Sequence, residues 1–156
     1  MKDNTDMTAL HISTDQALLD LALIHRFLSE QSTWALGIPM ATVQRALQHS
    51  LCFGAYLDGA QIGFARVITD GATFAYLCDV FVLPEHQGRG YSKRLMEAVM
   101  AHPDLQNLRR FLLATSTAPQ LYAQFGFTPA AKPQAFMERL DPEVYSRQAT
   151  REAPAR

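Results

Sequence analysis

The run Val82-Leu83-Pro84-Glu85-His86-Gln87-Gly88-Arg89-Gly90-Tyr91-Ser92 joins an apolar strand pattern to an amphipathic helix pattern through a turn with two glycines. This order of strand, glycine turn and helix start builds an anion site. The first turn of a helix carries backbone N–H groups without intrahelical partners, at the positive end of the macrodipole. Gly88 and Gly90 remove Cβ atoms that would hold a phosphate away, and they permit positive φ where the turn requires it. The spacing Gln-x-x-Gly-x-Ser is neither the dinucleotide fingerprint G-x-G-x-x-G nor a P-loop ending in Gly-Lys-Ser/Thr.

The elements around this turn define an α/β domain with a central mixed sheet. Residues 9–12 alternate weakly as a short first strand, and Ser13-Thr14-Asp15-Gln16 reads as a capping box opening a helix that runs past Leu28. Trp34 to Pro39 is an apolar loop, and Met40 to Gln48 a second short helix. Leu51–Leu57, Gln61–Thr69 and Ala72–Val82 then form an antiparallel meander through the turn signals Asp58-Gly59 and Asp70-Gly71. From Gly88 the period becomes helical, with Leu95, Met96, Val99 and Met100 on one face until His102-Pro103. A strand from Arg110 to Thr115 returns through that helix and so runs parallel to the strand ending at Val82. Pro119 opens a helix through Phe125 closed by Gly126, and Phe136 to Leu140 is expected as a last strand. Residues 8–140 make one domain, with 1–7 and 146–156 expected as flexible termini.

Composition removes several functional classes. With 156 residues, 48% hydrophobic and 19% charged, the chain is of ordinary globular type, and its formal charge of -1 gives no basic surplus for nucleic acid. No apolar run of about 18 residues is present and residues 1–6 do not read as a signal peptide, so no membrane partner and a cytoplasmic location are expected. Cys52 and Cys78 lie in apolar strand patterns without Cys-x-x-Cys spacing, and the five histidines show no ligand spacing, so no metal is expected.

Two segments resemble the GCN5-related N-acetyltransferase (GNAT) family, in that family's order. Asp79 to Gly90 is similar to its motif A, whose loop reads Gln/Arg-x-x-Gly-x-Gly/Ala. Ala118-Pro119-Gln120-Leu121-Tyr122-Ala123-Gln124-Phe125-Gly126-Phe127 is similar to its motif B, Ala-x-x-Leu-Tyr-x-x-x-Gly-Phe. The resemblance covers roughly Thr8 to Leu140. It implies an antiparallel meander leading into a splayed parallel strand pair, with acetyl-CoA as co-substrate. It also implies that Phe81 and Val82 meet the pantetheine while Gln87, Gly88, Arg89, Gly90, Tyr91 and Ser92 hold the pyrophosphate. Ser92 departs from the usual Gly or Ala, and Thr115 stands where many members carry an asparagine. Tyr122 matches the tyrosine whose hydroxyl points at the thioester sulfur.

The implied reaction is direct attack of a primary amine on the thioester, with Tyr122 as acid and Asp79 as the first candidate base, Glu85 and His86 being alternatives. An acetyl-cysteine route is disfavoured because neither cysteine belongs to the two motifs. A two-residue turn at Asp70-Gly71 would set Arg66 opposite Ala75, with Ile62, Phe64, Arg66 and Ile68 on one face. Arg66 then either pairs within the fold or meets an acidic group on a substrate. Trp34, Tyr76 and Phe53 offer aromatic walls for the acceptor. A small-molecule acceptor is favoured over a protein, a small-molecule amine and a peptide amine both stay open, and a homodimer is compatible with a family that commonly dimerises. The rival reading is a domain that binds acyl-CoA as a sensor without turnover.

Overall fold

In a computed structural model, which describes residues 9–152, five strands form one sheet in the order β1-β2-β3-β4-β5. They are β1 (His11–Ser13), β2 (Leu51–Leu57), β3 (Ala60–Thr69), β4 (Phe74–Val82) and β5 (Arg110–Leu113). The first four are antiparallel, and β5 runs parallel to β4, as a crossover through a helix requires. Five α-helices accompany them: α1 (Leu21–Arg26), α2 (Met40–Gln48), α3 (Tyr91–Ala101), α4 (Pro119–Ala123) and α5 (Val144–Glu152). The sheet divides two cores. Leu95, Met96 and Val99 of α3 pack with Ala65, Val67, Ala75 and Leu77 on one side, and Ile24, Val43 and Leu47 pack with Phe64 and Phe81 on the other. Burying both faces explains why the central strands are apolar at nearly every position.

The turn at Asp58-Gly59 is the two-residue hairpin the sequence predicts, with φ of 49° and 82° and Leu57 paired to Ala60. The second turn differs. Asp70 accepts hydrogen bonds from the amides of Ala72, Thr73 and Phe74 and from the Thr73 hydroxyl, which opens the loop so that Thr69 pairs with Ala75. Arg66 therefore stands opposite Cys78 and not Ala75. Nor do Ile62, Phe64, Arg66 and Ile68 share a face. A bulge between β2 and β3 leaves Ile62 without an opposite residue, and it packs in the α3 core while Phe64 packs in the other.

Other expectations need correction. The first helix begins at Leu21, because Asp20 accepts from the Leu23 amide as its cap, while Asp15 caps only a short 3₁₀ turn over Gln16–Leu18. Phe136 to Leu140 forms no strand; Pro133 opens a 3₁₀ turn, and Met137 and Leu140 are exposed. Residues 144–152, expected to be frayed from 146, are helical and dock Tyr145 onto the α1–α2 core. Residues 1–7 lie outside the described residues.

The hydrogen bonds at Asp70 hold its carboxyl well below the usual carboxylate range. A carboxyl so lowered stabilises the fold above its unfolded value of about 3.9, and the contribution is lost as pH falls below it. Asp70→Ala should therefore lower Tm at pH 7, with a smaller deficit at pH 2, as thermal unfolding at the two pH values would measure.

Candidate active site

Strands β4 and β5 pair only from Phe74 with Arg110 to Leu77 with Leu113; there β5 ends, while β4 runs on to Val82. The two chains separate beyond this point. On its other edge β4 carries an extra residue, since Phe81 pairs with Phe64 and Cys78 with Arg66, leaving Asp79 and Val80 opposite Ala65 alone. Asp79 takes φ of 54°, a left-handed conformation that aspartate tolerates better than most side chains. The separation opens a cleft of about 640 Å³ whose walls include Asp79 to Val82, Leu113 to Ala118 and Tyr122.

At one end the cleft meets the start of α3, where Gln87 and Ser92 line both it and a smaller cavity of about 200 Å³. Gly88 and Gly90 have φ of 82° and 80°, and Gly90 caps α3 without any side-chain hydrogen bond. The Arg94 amide bonds the Gly90 carbonyl, so the first helical amides, from Tyr91 to Lys93, precede the intrahelical ladder. Gln87 Nε2 donates to the Val82 carbonyl at 3.0 Å and ties the loop to the strand. His86 Nδ1, in the same cavity wall, is buried with no hydrogen-bond partner among the described residues. Free amides, the dipole and an unsatisfied buried nitrogen fit a phosphate-bearing ligand. Arg89 and Lys93 are exposed beside this turn.

Tyr122 lines the cleft. Its ring packs edge-on to Phe127 at 6.3 Å, and burial pushes its phenol above the ordinary value, so the hydroxyl keeps its proton at neutral pH. Thr115 Oγ1 accepts from the Ala118 amide at 3.0 Å and shapes the entry into α4. Pro119 occupies the first turn of that helix, and Gly126, at φ of 91°, follows its end.

The far end of the cleft is organised by one carboxylate. Asp79 Oδ2 accepts from Arg66 Nε at 2.7 Å, and Oδ1 accepts from Trp34 Nε1 at 2.7 Å. Arg66 also donates to Ser50 Oγ at 3.0 Å. Of the two uses open to Arg66, the structure shows pairing within the fold. Burial opposes the guanidinium charge, but the carboxylate beside it outweighs that, and the arginine pKa rises. Trp34 and Tyr76 line this end with Phe27, whose ring stacks on Phe81 at 3.9 Å. Phe53 does not take part, being buried in the α3 core against the edge of His102. Phe27 stands outside both motif segments, and nothing in the sequence singles it out.

Burial pushes the Cys78 thiol up to about 12 and the Cys52 thiol to about 11. Neither is a thiolate near pH 7, although Cys78 lines the cleft.

Residues 48–129 match the family model described as an acetyltransferase (GNAT) domain. The chain belongs to the GNAT acetyltransferase family. A GNAT-family protein of Xanthomonas campestris pv. campestris is 67% identical, and its crystal structure superposes with a TM-score of 0.86 over 88% of this chain and 96% of that one. A candidate acetyltransferase of Gibberella zeae is 36% identical over 136 residues, 72% of this chain and 75% of its own. One from Deinococcus radiodurans R1, 22% identical, shares the fold with a TM-score of 0.68 over 96% of both chains. As a GNAT protein the chain is an N-acetyltransferase, and the family uses acetyl-CoA as co-substrate. Among the described residues no cluster of His, Cys, Asp or Glu could hold a metal ion, and no helix is long and apolar enough to cross a membrane.

Two expectations follow from this geometry. Arg66→Gln leaves a largely buried Asp79 without its charge partner and should cost about 3 kcal/mol in urea unfolding. Gly90→Glu brings a negative charge to the open amides and should weaken acetyl-CoA binding at least ~10-fold by calorimetry. Gly90→Asn, which tolerates positive φ, separates that charge effect from backbone strain.

Proposed function

We propose that acetyl-CoA lies along the cleft with its pyrophosphate at the start of α3 and its thioester beside Tyr122, and that a primary amine attacks from the Trp34 side. The splay of β4 from β5 carries this reading, because it exposes the β4 main chain from Asp79 to Val82 to an extended ligand that can bond it like an added strand. Phe81 and Val82 would flank the pantetheine. Gln87 to Ser92 would hold the pyrophosphate mainly through main-chain amides, with the Ser92 hydroxyl as an added donor. Arg89 would contribute charge from outside.

The amine nitrogen bonds the thioester carbonyl carbon, and the carbon–sulfur bond then breaks to give an amide and, once the sulfur is protonated, CoA thiol. Tyr122 donates its proton to the departing sulfur, a role supported by a phenol that burial keeps protonated. Asp79 is the one acidic residue among the described residues that line the cleft, and its side chain retains lone pairs beyond those used by Arg66 and Trp34. It receives the proton lost by the amine, while its two partners fix its orientation. Glu85 and His86 sit toward the Gln87 end, which makes them poorer candidates. The protonated thiols of Cys52 and Cys78 support direct transfer over an acetyl-cysteine intermediate.

Tyr122→Phe keeps the ring packed against Phe127 and removes the donor. Because general acid catalysis contributes on the order of 10²–10⁴-fold and a thiolate is a tolerable leaving group, kcat should fall by about 10²-fold with acetyl-CoA affinity retained. Single-turnover kinetics with a competent amine would measure this. A folded variant with full kcat removes Tyr122 from the mechanism.

A further inference from the structure

The acceptor end of the cleft has an unusual charge inventory. Among the described residues that line the cleft, Asp79 alone carries a charge, and Arg66 beside it cancels that charge locally. Arg66 is itself committed to Asp79 and Ser50. A second carboxylate or phosphate on an acceptor would find no free cation on these walls, and a second ammonium would find no free anion.

What the walls do offer is flat apolar surface. Trp34 is 52% exposed, yet its indole N–H is fixed on Asp79, so a large aromatic face stands at the cleft lip in a set orientation. Tyr76 and the Phe27 ring, backed by Phe81, complete three aromatic sides. Immobilising an exposed indole costs conformational freedom that packing does not return at so open a position, which makes it a prepared face for a ligand. The Cys78 thiol and the hydroxyls of Thr33 and Tyr76 add neutral polar groups to the lining.

We propose that the acceptor is a small monoamine with a flat apolar body a short chain away from its nitrogen and with no second charge. The reacting ammonium meets Asp79, and the body lies among Trp34, Tyr76 and Phe27. This rests on the acetyl-transfer reading above. It separates the acceptor from amino acids, polyamines and peptide amines, which bring a carboxylate, a further ammonium or a polar backbone to a site without partners for them.

The test uses the full chain with acetyl-CoA and four amines: 2-phenylethylamine, phenylalanine, putrescine and a short peptide with a free N-terminus. CoA release should give 2-phenylethylamine a kcat/KM at least ~100-fold above each of the others. Trp34 is the only tryptophan in the chain, so its fluorescence reports this site alone. In protein saturated with CoA, 2-phenylethylamine should shift that fluorescence saturably, and phenylalanine and putrescine should not. Equal or better turnover of any charged amine or of the peptide overturns the acceptor class while leaving acetyl transfer standing. A saturable fluorescence shift without turnover of any amine sustains the acceptor class and counts against the transfer reading. Absence of a saturable shift overturns the acceptor class.

Discussion

The bulge in β4 is the constraint on which the site depends. One extra residue at Asp79, held at positive φ, turns the end of β4 away from its partner just where β5 stops. Without it the strand would continue its regular alternation. The bulge has its own anchors, since the Asp79 side chain reaches Arg66 on β3 and Trp34 on the loop after α1. Two hydrogen bonds from separate elements offset the cost of a left-handed aspartate, which is of order 1–3 kcal/mol. The same carboxylate thus shapes the sheet and faces the cleft.

Much of the architecture was legible because local chemistry and global fold agree. Asp58-Gly59 supplies two residues suited to positive φ between two apolar runs, and the hairpin forms as read. Gly88 and Gly90 precede a helical period, and α3 begins at Tyr91 with both glycines left-handed. The β4–β5 parallel pair follows from the helix between them. The two motif segments both contribute residues to the lining of one cleft.

The failures have a common physical origin in side chains that reach across register. A two-residue turn at Asp70-Gly71 would set Arg66 opposite Ala75, whereas Asp70 gathers three amides and lengthens the loop. No spacing rule announces that capture, or the bulge that brings Asp79 to Arg66. The helix at 144–152 is hidden by its polar composition; it docks through Tyr145 on the α1–α2 core and through Gln148, which accepts from the Thr42 hydroxyl. Phe136 to Leu140 has the composition of a strand but no hydrogen-bonded neighbour, and a strand without a ladder is not one. For the site itself, the aromatic side chains Trp34 and Tyr76 are legible as wall candidates, while Phe27, outside both motif segments, is not.

The bare start of α3, capped by a glycine with no side chain, separates the two halves of the cleft in how they can change over generations. Donor recognition there is written in main-chain amides, which every residue except proline supplies and which few substitutions can delete. Acceptor recognition is written in the side chains of Trp34, Tyr76 and Phe27, each replaceable by a single codon change. A scaffold divided in this way can exchange one amine for another while its hold on the acyl donor persists, so acceptor choice is the readily evolvable property of this molecule.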